Sequence, residues 1–124
     1  MNSIALQINN RLSLRAPQGE SLDRLTKIID AIDLSKDADL ESNMKAIKNL
    51  YPTFEEFERE FPSVCFSLAT GVGKTRLMGA FIVYLMRAKG IKNFFVLAPN
   101  LTIYNKLIED FGNPTHPKYV FKGI

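Results

Sequence analysis

The sequence predicts an α/β protein, part of a three-layer fold in which a parallel sheet carries helices on its faces, preceded by a helical region. Three observations predict it. Two short, mostly apolar runs, Val64-Cys65-Phe66-Ser67-Leu68 and Phe94-Phe95-Val96-Leu97-Ala98, read as buried strands ending in abrupt loops. Each is followed by a segment of helical periodicity, residues 74–89 and 101–111. A third run, Tyr119-Val120-Phe121, comes after the second helix. Parallel strands need helix-length crossovers, so strand, helix, strand, helix, strand is the order such a sheet produces.

Before these elements, Ile4, Leu6 and Ile8 alternate, Asn9-Asn10 offers a turn, and Leu12 and Leu14 alternate again, which fits a short strand or hairpin. Pro17 suits the first turn of a helix, and Leu22, Leu25, Ile28, Ile29 and Ile32 follow at helical spacing. A weaker stripe, Leu40, Met44, Ile47 and Leu50, stops at Pro52. Thr53 with Glu56 three residues on is a capping-box pattern for a short helix presenting Phe54, Phe57 and Phe61, ended by Pro62. The helix over 74–89 is apolar nearly all round, so it packs on more than one side, and Gly90 is its natural stop. Asn100 is a good N-cap for the helix carrying Leu101, Tyr104, Leu107, Ile108 and Phe111, which Gly112 and Pro114 close. The expected organisation is a front element over residues 1–33, a helical insertion over 34–61, and an α/β part over 62–124.

Composition excludes several classes. With 46% hydrophobic and 23% charged residues, the chain is neither disordered nor fibrous. Its longest apolar stretch, Leu77 to Met86, is interrupted by Gly79 and bounded by Arg76 and Arg87, far short of the roughly 20 residues of a membrane-spanning helix. Residues 1–10 have no basic flank and no long apolar run, so no secretory signal is expected. Cys65 is the single cysteine, read as an inert core residue, and a cytoplasmic location is expected. His116, between Thr115 and Pro117, has no ligand partner at metal-binding spacing. The net charge of +3 is uneven: residues 62–124 hold eight basic and two acidic residues, and residues 34–61 hold four and seven. A basic half suits a polyanion, although on charge alone a solvated surface is the preferred account.

The chemistry is concentrated in Ala69-Thr70-Gly71-Val72-Gly73-Lys74-Thr75, between the first buried strand and the apolar helix. Gly71 and Gly73 allow backbone conformations that aim successive N–H groups into one concavity, and the helix N-terminus adds its dipole. Lys74 brings a positive charge to the terminal phosphates, and the Thr75 hydroxyl is a ligand for Mg²⁺. Arg76 reads as a surface residue. A chance match on a surface loop is the competing reading, and the flanking strand and helix argue against it. A nucleotide-phosphate site is the result.

Leu68-Ala69-Thr70-Gly71-Val72-Gly73-Lys74-Thr75 resembles motif I of superfamily 2 helicases of the DEAD/DEAH-box kind, where the leading glycine of the general loop (here Leu68) is commonly replaced. It is most similar to the ATPase/helicase subunit of type III restriction enzymes. Phe95-Val96-Leu97-Ala98-Pro99-Asn100 resembles motif Ia, and Leu14-Arg15-Ala16-Pro17-Gln18 resembles the element upstream of motif I. The three stand in the family's order. The resemblance implies a RecA-like ATP-binding domain with ATP and Mg²⁺ as cofactors and ATP-driven movement on duplex DNA. It further implies adenine recognition by Gln18, DNA phosphates near Pro99, Asn100 and Thr102, and a modification (methyltransferase) subunit as partner. Asn100 as a plain helix cap is compatible with the same role, and for Gln18 an exposed helix-start residue is, on spacing alone, an alternative of equal weight.

Hydrolysis needs carboxylates to hold the metal and position water. Beyond Lys74 the acidic residues are Glu109 and Asp110, on a helix rather than after an apolar strand, and they do not read as that pair. The chain therefore reads as the first half of a first motor lobe, truncated or a fragment. Two other readings stand beside it: another P-loop enzyme such as a nucleotide kinase, and a non-catalytic fragment.

Overall fold

Five helices form among the described residues, which in this computed structural model are 1–35, 37–57 and 59–123. They are α1 (Ser3–Arg11), α2 (Ala16–Ala31), α3 (Leu40–Leu50), α4 (Lys74–Lys89) and α5 (Leu101–Gly112).

The first of them replaces the expected strand or hairpin. Alternation of Ile4, Leu6 and Ile8 competes with a helical register of Ala5, Ile8 and Leu12, and those three are the buried ones. The Asn2 side chain caps α1 by accepting the Ala5 N–H at 2.9 Å. A helix pairs its own backbone groups, whereas an isolated two-stranded hairpin is marginal in water. At the far end, Ser13 N–H donates to Asn10 C=O and Leu14 N–H to Asn9 C=O, a Schellman arrangement with Ser13 at φ 51°.

Burial organises around α2, which begins with Pro17 in its first turn as expected. One side, Leu22, Leu25 and Ile29, packs with Ala5, Ile8 and Leu12 of α1 and with Ala80, Val83 and Tyr84 of α4. Ile28 faces a smaller cluster with Ile47 of α3 and Phe57. Asn43 of α3 secures the connection: its amide both donates to Asp33 C=O and accepts the Asp33 N–H, at 2.9 and 3.0 Å.

The helix expected from Thr53 does not form, and residues 53–57 and 59–61 are irregular, with Glu58 outside the described residues. One or two turns do not offset the cost of helix nucleation, so side-chain packing sets the path. Phe57 is buried, with Phe54 edge-on to it at 5.5 Å.

The parallel sheet is likewise not formed: among the described residues there is no strand. Residues 64–68 and 94–98 run between helices without ladder partners. A strand exists only where a neighbour takes its N–H and C=O groups, and apolar character alone supplies none. Phe95 and Leu97 are consequently 88% and 77% exposed, and Cys65, expected in the core, is exposed too. Residues 119–121 are a turn rather than a strand. Val120 is nonetheless buried, its N–H on Asp110 C=O at 2.8 Å and its side chain so close to Gly79 that a Cβ there would collide with it.

Left-handed glycines bound α4 at both ends, Gly73 (φ 88°) and Gly90 (φ 67°). Its buried face is Leu77, Ala80, Val83 and Tyr84. Met78, Ile82 and Leu85 instead border a shallow groove of about 350 Å³ with residues 94–97, so the second face is only partly covered. Among the described residues no helix is long and apolar enough to cross a membrane.

Candidate nucleotide-binding site

The phosphate loop takes the conformation its glycines permit. Gly71 (φ 83°) and Gly73 (φ 88°) are both left-handed, and α4 begins directly after them with no side chain capping its first turn. Its leading N–H groups are thus the unpaired donors that every helix N-terminus leaves. Space above Gly71 is open, with nothing within 4 Å of where a Cβ would stand. Ala69, Thr70 and Lys74 are exposed, whereas Val72 and Thr75 are half-buried.

The back of the loop is strapped to the chain that joins α1 and α2. Gln18 donates its Nε2 to Gly73 C=O at 2.8 Å and accepts the Arg15 N–H on Oε1 at 2.8 Å. It is 1% exposed, so the expectation of an exposed helix-start glutamine is corrected. Its amide keeps one N–H and one lone pair unspent by these bonds. A side chain at Gly73 would collide with this amide, so the position requires glycine for space as well as for φ. Arg15 reaches Gly71 C=O with Nη1 at 3.4 Å, and Arg76 donates Nη1 to Leu12 C=O at 2.8 Å. Arg76 is exposed as expected, yet it closes the strap from the α4 side.

At the front, the Lys106 ammonium of α5 lies 3.4 Å from Thr75 Oγ1 and 3.7 Å from Asp110 Oδ2. An ammonium only donates, so the hydroxyl oxygen already offers a lone pair to a cation. That donor set, one hydroxyl beside an open anion cradle, fits a magnesium ion carried in with phosphate oxygens. Glu109 accepts from Asn113 Nδ2 at 2.9 Å, and Asp110 reaches the hydroxyl only through Lys106.

Pro99, Asn100 and Thr102 lie apart from the loop at the exposed N-terminus of α5. Asn100 spends its side-chain oxygen on the Ile103 N–H at 2.9 Å, the cap its position foretold. His116 Nδ1 is 4.0 Å from Asp110 Oδ1, and among the described residues no three His, Cys, Asp or Glu side chains gather as a metal site.

A groove of about 910 Å³ does not coincide with the loop. It runs between α2, the end of α3 and residues 63–68, and touches the site only at Pro17 and Leu68. Lys74 and Lys106 stand at the open loop, and neither lines this groove. Sequence reasoning missed Lys106, and it named Arg15 only as part of the upstream element, without a contact to the loop; both reach the loop from distant positions.

The family described as type III restriction enzyme, res subunit, matches residues 11–123, from the strap through the loop to the turn after α5. A curated relative, the probable type III restriction-modification enzyme HindVIP Res subunit of Haemophilus influenzae, is 34% identical over 68 residues. That match covers 55% of this chain and 13% of the relative, so the chain spans a small part of that protein's length. No solved structure matches. A match over nearly the whole chain, with a formed phosphate loop at its centre, means that the chain belongs to the type III restriction enzyme res subunit family.

Proposed function

We propose that this chain binds magnesium–ATP on residues 69–75 and is the front part of an ATP-driven motor that acts on duplex DNA. One observation carries the reading: two left-handed glycines flank Val72 immediately before an uncapped helix that opens with Lys74 and Thr75. N–H groups from that turn would cradle the phosphates, and Lys74 would offset their charge. Thr75 Oγ1 would hold the magnesium ion, which would supply positive charge against the phosphates. The unspent N–H and lone pair of Gln18 match the donor–acceptor pair of adenine, once the strap shifts enough to uncover them.

Pro99, Asn100 and Thr102 would lie on the DNA backbone, where exposed N–H groups at the start of α5 suit phosphate oxygens. Residues 1–33 would serve as the adenine and loop-strapping element and residues 34–61 as a packed insertion, ahead of the RecA-like part over 62–124. Residues 64–68 and 94–98 would become strands of its parallel sheet once further strands of that domain supply partners. The modification subunit would be a partner of the longer protein.

Lys74→Ala tests the site. Loss of a charge-assisted contact should weaken binding of a fluorescent ATP analogue by about 1.5–3 kcal/mol. Superimposable titrations of variant and parent would overturn it. Neither Glu109 nor Asp110 meets the metal-ligand hydroxyl directly, so binding without multiple-turnover hydrolysis is expected of the 124-residue chain. Sustained phosphate release would contradict that.

A further inference from the structure

Lys106 has no place in the loop's sequence pattern, yet it stands at the loop's metal-ligand oxygen. Its Nζ lies between Thr75 Oγ1 at 3.4 Å and Asp110 Oδ2 at 3.7 Å. Thr75 belongs to α4, whereas Lys106 and Asp110 belong to α5 one turn apart, so this contact joins two helices through 31 residues of chain.

The two anchors differ in kind. Asp110 is fixed: its side chain is 5% exposed, its carbonyl holds the Val120 N–H, and His116 Nδ1 stands 4.0 Å from its other carboxylate oxygen. Lys106 is 56% exposed on a flexible four-carbon stem and is free to swing. The hydroxyl oxygen has two lone pairs, but an ammonium on one of them sets a like charge a few ångströms from a magnesium ion on the other, and that repulsion favours moving the ammonium away. A buried carboxylate next to the displaced ammonium gives it somewhere to go.

We infer that Lys106 is a built-in cation on the phosphate loop, holding Thr75 when no nucleotide is bound and moving fully onto Asp110 when magnesium–nucleotide arrives. This rests on the phosphate-loop reading above and adds a regulatory link to it. Because Lys106 is on α5, filling the loop removes one tie between the start of α4 and α5, while Phe111 keeps the far end of α5 packed on α4. The first turn of α5 carries Asn100 and Thr102, so the link runs from the nucleotide site toward the proposed DNA-contacting residues.

The experiment compares the parent chain with Lys106→Met, Asp110→Asn and the double variant, using a fluorescent ATP analogue with excess Mg²⁺ and again with EDTA. Lys106→Met keeps the stem and removes the charge. It should bind the magnesium complex roughly 3- to 10-fold more tightly and leave metal-free binding unchanged or weaker. Asp110→Asn, which removes the parking site, should weaken magnesium-dependent binding, and Lys106→Met should restore it in the double variant. A circular-dichroism melt of each variant separates lost affinity from lost fold. The chain has no tryptophan, so Tyr104→Trp on α5 is a single reporter. Its emission should shift on adding Mg–ATP with Lys106 present and stay flat with Lys106→Met. Parent binding that Lys106→Met leaves unchanged or weakens overturns the inference alone. No parent binding at all, with Lys74→Ala equally inert, overturns the phosphate-loop reading and this inference with it.

Discussion

Two parts of the molecule share one kind of sequence and have opposite fates. α1, α2 and α4 bury Ile8, Leu22, Val83 and Tyr84 almost completely, whereas Phe95 and Leu97, no less apolar, are 88% and 77% exposed. Hydrophobicity does not separate them; backbone bookkeeping does. Each helix closes its own hydrogen bonds and needs only a face to pack, so three helices make a core from what they carry. Residues 94–98 need a strand beside them before their side chains have a sheet face to lie on. The phosphate loop sits on the boundary, strapped behind by the packed helices and open in front.

The largest test of that contrast is a pair of substitutions. Leu22→Ala opens a cavity in the packed part and should cost about 2–5 kcal/mol. Phe95→Ser removes a larger side chain from the exposed part, and its thermal midpoint should stay within about 3 degrees of the parent, an exposed change within ~0.5 kcal/mol. Solubility should rise with Phe95→Ser, because an exposed apolar segment without a strand partner invites association. Equal destabilisation by the two would mean that residues 94–98 are packed in solution.

Next in size is the strap. Gln18→Ala leaves the Gly73 carbonyl and the Arg15 N–H without their partner in a half-buried place, a loss of about 1 kcal/mol. The same variant bears on base recognition: if the amide also reads adenine, a preference for ATP over GTP should flatten. A fall in melting temperature with the base preference intact would keep the strap and remove the adenine role.

What was legible in the sequence follows the same division. The loop could be read because Gly71, Gly73, Lys74 and Thr75 are contiguous, and their chemistry depends on local backbone conformation. Pro17, Gly73, Gly90 and Asn100 marked helix ends for the same local reason. The front of the chain was misread because Ile4, Leu6 and Ile8 fit period 2 while Ala5, Ile8 and Leu12 fit a helix, and capping by Asn2 decides between them. The contacts of Gln18 with Gly73 and of Lys106 with Thr75 join residues 55 and 31 apart. Such contacts come from helix packing, which a single sequence does not display. Family membership implies a P-loop fold, and the expected strands failed here for want of neighbours rather than of pattern.

A smaller effect concerns acid. Asp39 caps α3, and the hydroxyl of Ser42, joined by the Glu41 N–H, holds its carboxyl below the usual carboxylate range. A folded-state value below the unfolded one means stability that is present above about pH 4 and lost as pH falls through the lowered value. Asp39→Asn keeps an acceptor for the cap and removes the charge. Its melting temperature should trail the parent's at pH 6, and the gap should close toward pH 2. A gap that does not narrow would mean that the charge of Asp39 contributes nothing to α3.

The smallest expected effect is a gain. Ser13 occupies the left-handed position that ends α1, a conformation in which a Cβ crowds the following carbonyl. Glycine removes that crowding, and the added freedom of the unfolded chain takes back part of the benefit, leaving about 0.5–1 kcal/mol in favour of Ser13→Gly. Ser13→Ala keeps the Cβ and should give no gain, which separates backbone strain from any effect of the hydroxyl. Chemical denaturation with an unchanged slope reads the difference directly. This turn leads into Arg15 and Gln18, so the substitution also asks whether the strap depends on the strain. If it does not, Ser13→Gly should raise the denaturation midpoint and leave the affinity for the ATP analogue where it was. A stability gain accompanied by weaker binding would mean that the packed half holds the loop in shape at the expense of its own stability.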